Sequence, residues 1–95
     1  MYLYCIANDQ GSCKFGFSRE PQRRLRALQT GCADPLFLID TVRVVEGSER
    51  VMERTLHREI GAHRRIRGEW YALTAEQGAT VLAWFKIHYA ESLEE

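Results

Sequence analysis

No stretch of this 95-residue chain is long and apolar enough to span a membrane, because none approaches the roughly 20 residues that a spanning helix needs. The N-terminus also lacks the charged region, hydrophobic core and small-residue cleavage site of a secretory signal. From these absences we expect no membrane partner, and we expect the cytoplasm as the compartment.

Cysteine is scarce, and its spacing fits neither a structural zinc site nor a set of paired disulfides. Cys5, Cys13 and Cys32 are odd in number and form no Cys-x-x-Cys pair. This argues against both a disulfide framework and a structural zinc site. We interpret two of the three as core thiols and Cys32 as a loop residue.

Internal repeats, linkers and low-complexity tracts are absent as well. A chain of this length forms one small domain, which must bury most of its large apolar side chains to be stable. We therefore predict a single domain over residues 1–95.

The net charge is zero, but the charges are unevenly placed. Residues 1–68 hold twelve Lys or Arg against eight Asp or Glu, whereas residues 69–95 hold one against five. The first part of the chain can therefore face phosphate, and the last part cannot.

The first eighteen residues predict a β-hairpin, because two β-rich runs flank the turn formers of Asn8 to Ser12. Pairing Ala7 with Cys13 brings Tyr4 opposite Gly16 and sorts the side chains onto two faces. The apolar face holds Leu3, Cys5, Ala7, Cys13, Phe15 and Phe17. The other face holds Tyr2, Tyr4, Lys14, Gly16 and Ser18. A hydroxyl and an ammonium beside bare glycine backbone indicate a site on that second face.

Two helices and a strand are predicted in the middle of the chain. A helix runs from Pro21 to Thr30, with proline in its first turn. The segment from Leu36 to Val45 is a strand, which we expect to be central because its first half is apolar on both faces. A second helix, capped by Ser48, runs to about residue 62. Its buried stripe is Val51, Met52, Leu56 and Ile60.

The last third predicts a basic loop and a third helix. The loop from His63 ends in Trp70 and Tyr71, which we interpret as core anchors. Thr74 and Gln77 fit a capping box that starts a helix over about 75–90. The whole chain thus predicts an α+β fold in the order β-β-α-β-α-α, with a small three-stranded antiparallel or mixed sheet and three flanking helices.

Six short motifs follow one another along residues 2–73. They are Tyr-Leu-Tyr, Lys-Phe-Gly-Phe-Ser, Pro-Gln-Arg-Arg-Leu-x-x-Leu-Gln-Thr-Gly, Pro-Leu, Glu-Arg-x-Leu-His and Gly-Glu-Trp-Tyr. In this order they resemble the GIY-YIG nuclease superfamily, in particular the small phage-associated subgroup whose second motif begins with lysine. Two positions differ from the usual pattern: Tyr2 replaces the leading glycine, and Lys14 stands where a tyrosine is usual.

The resemblance implies metal-dependent hydrolysis of DNA phosphodiester bonds with Mg²⁺ or Mn²⁺ as cofactor. It implies catalytic roles for Tyr4, Lys14 and Arg24, and a metal-binding role for Glu53. His57, one turn beyond Glu53, is a candidate either to relay a proton or to orient that carboxylate. The supporting positions are Gly16, Glu69 and Trp70, and Glu69 either ties down the basic loop or pairs with Arg24.

The chemistry of these residue types agrees with that assignment. In-line attack on a phosphodiester needs an activated water, neutralised phosphoryl oxygens and help for the leaving oxygen. Arginine forks onto phosphoryl oxygens, and one carboxylate is enough for Mg²⁺ when water and phosphate complete its shell. The residues alone leave Arg23 as an alternative to Arg24 and Glu49 as an alternative to Glu53.

Six further arginines, around the first helix and in the basic loop, predict a DNA-binding face that contacts phosphate rather than bases. They are Arg19, Arg23, Arg26, Arg64, Arg65 and Arg67. Without a recognition domain, sequence preference should be slight unless a second protomer or an accessory partner supplies it. Two other functions stay open: a DNA-binding module without catalysis, and a protein-interaction domain with a peptide groove.

Overall fold

The computed structural model describes residues 1–61, 65–67 and 69–89 and has an α+β fold. Its elements in chain order are β1 (Tyr2–Asn8), β2 (Cys13–Ser18), α1 (Pro21–Thr30), β3 (Leu36–Arg43), α2 (Glu49–Ile60), β4 (Arg65–Arg67), β5 (Trp70–Tyr71) and α3 (Ala75–Tyr89). The predicted fold class is confirmed. The order differs by two short strands, β4 and β5, in the segment predicted as a basic loop.

The N-terminal hairpin has the predicted register. Ala7 pairs with Cys13 and Tyr4 with Gly16 in an antiparallel ladder. The Asn8 side chain closes the turn, because its Oδ1 accepts hydrogen bonds from the backbone N–H groups of Gln10 and Ser12. A local side-chain contact therefore fixes the turn, and the turn fixes which face each strand residue occupies.

The sheet of the described chain is antiparallel, in the order β3-β1-β2-β5-β4. The prediction of a central β3 was wrong: within the described residues β3 is an edge strand that pairs only with β1, and β2 is the middle strand of the five. Helices explain the apolar character of both faces of β3, because α1 and α3 both pack against it. Apolar residues on both faces of a strand indicate only that both faces are covered, and helices can cover both faces of an edge strand as well.

The sheet separates two apolar clusters. One contains Leu3, Cys5, Phe15, Val42 and Tyr71 together with residues of α2 and α3. The other contains Tyr4, Ile6 and Leu36, against which Leu25, Leu28 and Trp70 pack. Because β1 contributes to both clusters, five consecutive β1 residues, from Leu3 to Ala7, are buried.

Helix α2 differs from its prediction at two positions. Ser48 makes no side-chain cap, because its hydroxyl donates to the Val45 carbonyl instead. Val51 is 55% exposed, and Thr55 lies in the buried stripe with Met52 and Leu56. The helix ends at Ile60, and Gly61 follows with a φ of 92°.

Helix α3 begins with the predicted capping box. The Thr74 N–H donates to Gln77 Oε1 at 2.9 Å, and the Gln77 N–H donates to Thr74 Oγ1 at 3.1 Å. Among the described residues, no helix has the length and apolar character required to cross a membrane.

The two predicted core thiols pack against a glycine of α3. Cys5 and Cys13 are free and buried, and Cys32 lies in a loop as predicted. The hydrogen bond from Cys5 to Cys13, followed by burial, raises the pKa of Cys5. The same contact lowers the pKa of Cys13, although its thiol also donates to the Leu73 and Thr74 carbonyls, which favours the protonated form. We therefore treat both as packing residues.

Gly78 is required by this packing, because a Cβ there would lie 2.7 Å from Cys13 Sγ and 2.8 Å from Cys5 Sγ. We expect Gly78→Ala to lower the free energy of unfolding by roughly 1–2 kcal/mol in urea denaturation, since overpacking outweighs the helical preference for alanine. The cost should shrink in a Cys13→Ala background. An equal cost in both backgrounds, or a more stable Gly78→Ala, would contradict the contact.

Candidate functional site

A cavity of about 370 Å³ brings together residues from separate parts of the chain. Its described lining residues are Met1, Tyr4, Gly16, Phe17, Arg24, Glu49, Glu53 and Glu69. Strand β1 supplies the tyrosine, α1 the arginine and α2 two of the glutamates. Four predicted site residues besides Gly16 thus share one cavity: Tyr4, Arg24, Glu53 and Glu69.

Tyr4 lies across the backbone of Gly16 on the neighbouring strand. The residue is 2% exposed, and its hydroxyl makes no hydrogen bond to another described residue. The pairing of Tyr4 with Gly16 explains the position, because only a residue without a Cβ leaves room for the phenol. The ring is held by packing while the hydroxyl keeps its hydrogen-bonding capacity for a ligand.

Replacing Gly16 should therefore displace Tyr4. A Cβ at position 16 would lie 2.4 Å from the Tyr4 hydroxyl oxygen and 2.6 Å from Cζ. We expect Gly16→Ala to cost about 1–3 kcal/mol of stability in thermal or urea unfolding. Gly31→Ala is the matched control, because Gly31 has a φ of −98° and a Cβ there would meet no atom within 4 Å. Equal stabilities for the two variants would show that the Tyr4 phenol does not pack against the backbone of Gly16.

Arg24 is the cation that faces this cavity. It is exposed on the first turns of α1, where Pro21 sets the helix start. Its guanidinium makes no ion pair with another described residue. By contrast, Arg23 pairs with Glu20 at 3.5 Å and does not line the cavity. The geometry thus favours Arg24 over Arg23 for the position that the sequence left open.

Glu53 and Glu49 both line the cavity but differ in their partners. Glu49 Oε1 accepts a hydrogen bond of 2.7 Å from the Gly47 N–H. Glu53 has no hydrogen bond or ion pair with a described residue. Its carboxylate is therefore free to bind a ligand in the cavity, whereas that of Glu49 is partly used in holding the turn before α2.

Lys14 is not among the described lining residues, but it forms an ion pair with Glu69, which is. Its Nζ lies 3.1 Å from Glu69 Oε1 and 5.9 Å from the centre of the Trp70 ring, and its side chain is only 12% exposed. Glu69 is in turn anchored by its carbonyl, which accepts from the Phe15 N–H at 3.4 Å. The sequence left open whether Glu69 pairs with Arg24, and the structure pairs it with Lys14 instead. This contact ties the residue before β5 to β2.

His57 contacts β5 and does not line the cavity. Its Nδ1 lies 2.8 Å from the Tyr71 hydroxyl, and it is not among the described lining residues. This contact joins α2 to β5, so hydrogen bonding and packing are enough to account for a histidine at position 57. The proton-relay role remains a prediction without a supporting contact.

The arginines of the predicted DNA-binding face divide into three groups. Arg19 and Arg23 line a second cavity beside the first, and Arg26 is exposed on α1. Arg64 lies outside the described residues. The backbone of Arg65 and Arg67 forms β4, and their side chains lie outside the described part.

The donor set of the cavity suits a hard cation with few protein ligands. Within the described residues, no cluster of three or more His, Cys, Asp or Glu is arranged to hold a metal ion. A free carboxylate in an open cavity still fits Mg²⁺ or Mn²⁺, because Mg²⁺ commonly uses one or two carboxylates together with water and substrate phosphate. Glu53 is the residue that would hold it.

Met1 and Phe17 line the cavity without having been predicted to do so. Met1 is placed by its carbonyl, which accepts from the Val44 N–H at 2.9 Å. Phe17 belongs to the predicted apolar face, opposite Leu3, and also reaches the cavity near the end of the hairpin. No pattern in the sequence distinguishes these two from ordinary core residues.

The fold and site define a small α+β domain whose strand tyrosine, helix arginine and helix glutamate meet in one cavity. The sequence model of the T5orf172 domain matches residues 1–86, so the chain belongs to this family, a phage-associated domain. The match spans all six motifs singled out in the sequence. Neither the curated proteins nor the solved structures compared with the chain gave a match.

Proposed function

We propose that this protein is a metal-dependent DNA endonuclease of the GIY-YIG type, acting by phosphodiester hydrolysis. The observation that carries the proposal is the cavity in which Tyr4, Arg24 and Glu53 meet. Arg24 and Glu53 are opposite charges that line the same space without pairing with each other. A phosphate together with a divalent cation would neutralise both.

The tyrosine and the two cations would prepare the nucleophile and the phosphate. Once its own proton has been lost, the Tyr4 oxygen would take a proton from the attacking water and return to the neutral phenol, while the resulting hydroxide attacks phosphorus. Arg24 would fork onto the non-bridging oxygens, where negative charge increases in the transition state. Lys14 would act on the same charge at longer range, since Glu69 holds its ammonium at the cavity edge.

A divalent ion bound through Glu53 would supply Lewis-acid stabilisation of the phosphoryl and leaving oxygens. Glu53 would present this ligand from α2, and Glu49 accepts a hydrogen bond from the Gly47 N–H in the preceding turn. With one such centre, a single protomer would cut one strand at a time. Low sequence preference is proposed because the arginines around the site suit phosphate contacts.

A second candidate, a DNA-binding module without catalysis, is favoured by the Lys14–Glu69 ion pair, which compensates one of the two cations near the cavity. A cleavage assay separates the two. Purified protein should convert supercoiled plasmid to the nicked form with Mg²⁺ or Mn²⁺ and not with EDTA. A protein that shifts a labelled duplex but yields no nick across several pH values would be a binding module.

Salt dependence tests the third function, a peptide-binding domain. Neutralising phosphates releases counterions, so affinity for DNA should fall steeply as salt increases. An affinity for duplex DNA that does not change with salt would contradict a phosphate-binding cavity.

Arg24 should matter more for the reaction than for binding. We expect Arg24→Ala to lower kcat/KM by about 10²–10³-fold, because one donor to the transition-state charge is lost. Duplex affinity, measured by fluorescence anisotropy, should change far less. Arg54→Ala is the matched control, since Arg54 is exposed on α2 and lines neither arginine-containing cavity. A loss confined to affinity would make Arg24 only a phosphate anchor.

A further inference from the structure

A second cavity, of about 270 Å³, shares Arg24 with the first. Its lining residues are Ser18, Arg19, Glu20, Arg23, Arg24 and Ala27. Three guanidinium groups against one carboxylate give it an excess of positive charge, whereas the first cavity has three carboxylates and one arginine. The two cavities therefore differ in the ligand charge that they accept.

The arginines of this second cavity are available to a ligand. Arg23 pairs with Glu20 at 3.5 Å, with side chains 76% and 67% exposed. Arg19 pairs with Glu46, and both side chains are also mostly exposed. Exposed ion pairs of this kind contribute little free energy, so a phosphate dianion or diester can displace the carboxylates. Charge-assisted hydrogen bonds from arginine to phosphate are the stronger alternative.

Arg24 belongs to the lining of both cavities, so they are neighbours that share one side chain. Successive phosphates of a DNA strand are also close neighbours, about 3.4 Å apart along the helix axis. We propose that the second cavity is a phosphate subsite for the nucleotide adjacent to the scissile phosphate on the same strand, with Arg19 and Arg23 as its ligands. This inference rests on the proposed function, because it takes the first cavity as the site of the scissile phosphate.

Two consecutive phosphates should therefore bind better than one. Thymidine 3′,5′-bisphosphate carries two phosphates on one nucleoside, as in a strand, and thymidine 5′-monophosphate carries one. In NMR titrations with Mg²⁺, we expect the protein to bind the bisphosphate about tenfold more tightly, the gain of one set of charge-assisted hydrogen bonds. Neither nucleotide contains an internucleotide bond, so cleavage does not disturb the measurement.

Two variants test whether the tighter binding of the bisphosphate comes from the second cavity. Arg23→Ala should reduce the preference for the bisphosphate over the monophosphate to less than about threefold. Arg54→Ala should retain the full preference. Equal affinities of the wild-type protein for the two nucleotides, or a preference that survives in Arg23→Ala, would overturn the subsite. A protein that shows the preference but does not nick DNA would lose only the nuclease proposal.

Discussion

Glu53→Gln should abolish metal-dependent nicking while leaving duplex binding nearly intact. The substitution keeps the size and hydrogen-bonding capacity of the side chain but removes the charge that holds the cation. Because metal stabilisation of the transition state is worth several kcal/mol, we expect a loss of roughly 10³-fold or more in the single-turnover rate. Anisotropy with the same duplex in EDTA should give an affinity close to that of the wild type.

Glu49→Gln is the matched control for this experiment. Glu49 lines the same cavity on the same helix, one turn earlier, but it accepts the Gly47 N–H. Glutamine can still accept that hydrogen bond. Because the only charge lost is one that does not bind the metal, we expect a rate within about tenfold of the wild type. Full activity in Glu53→Gln with loss in Glu49→Gln would exchange the roles of the two glutamates.

Tyr4→Phe should have the second largest effect. Phenylalanine keeps the ring that packs over Gly16 and loses only the hydroxyl, which has no hydrogen-bond partner among the described residues. Folding stability should therefore change little, while the rate of nicking falls by about 10²–10⁴-fold, the usual contribution of a positioned acid or base. The two readouts are urea unfolding and the single-turnover nicking rate.

Tyr71→Phe serves as the comparison for Tyr4→Phe. The Tyr71 hydroxyl contacts His57 rather than the cavity, so its loss should lower stability more than activity. If Tyr4→Phe instead cuts DNA at the wild-type rate, the phenol is a packing residue and another group must activate the water.

The parts of the fold that could be predicted are those fixed by local chemistry. The hairpin register follows from alternation of apolar residues around a turn closed by Asn8. The start of α1 follows from Pro21, and the start of α3 follows from the Thr74–Gln77 capping box. In each case the decisive contact joins residues close together in the sequence.

The errors arose where distant elements decide the outcome. The edge position of β3 depends on which strands find partners, and its covered faces gave the same pattern as a central strand. Strands β4 and β5 are too short for a periodic signal, and pairing of Trp70 with Lys14 places β5. The Ser48 hydroxyl could bond either forward to the helix or back to Val45, and the sequence does not distinguish the two.

The candidate site shows the same division. Tyr4 and Gly16 could be paired from the hairpin alone, but their meeting with Arg24 and Glu53 needed the resemblance of ordered motifs. The Lys14–Glu69 contact depends on β5 lying beside β2, which no local pattern gives. The hydrogen bond from the Gly47 N–H to Glu49, in which Glu49 differs from Glu53, is likewise not evident from the sequence.

The most direct measurement is a crystal structure of the protein with Mn²⁺ and a short DNA duplex, with the metal located by its anomalous signal. The account predicts a Mn²⁺ ion bound directly to a Glu53 carboxylate oxygen, with a DNA phosphate between that ion and Arg24 and within reach of the Tyr4 hydroxyl. A phosphate held only by the outer arginines, with no metal at Glu53, would contradict it.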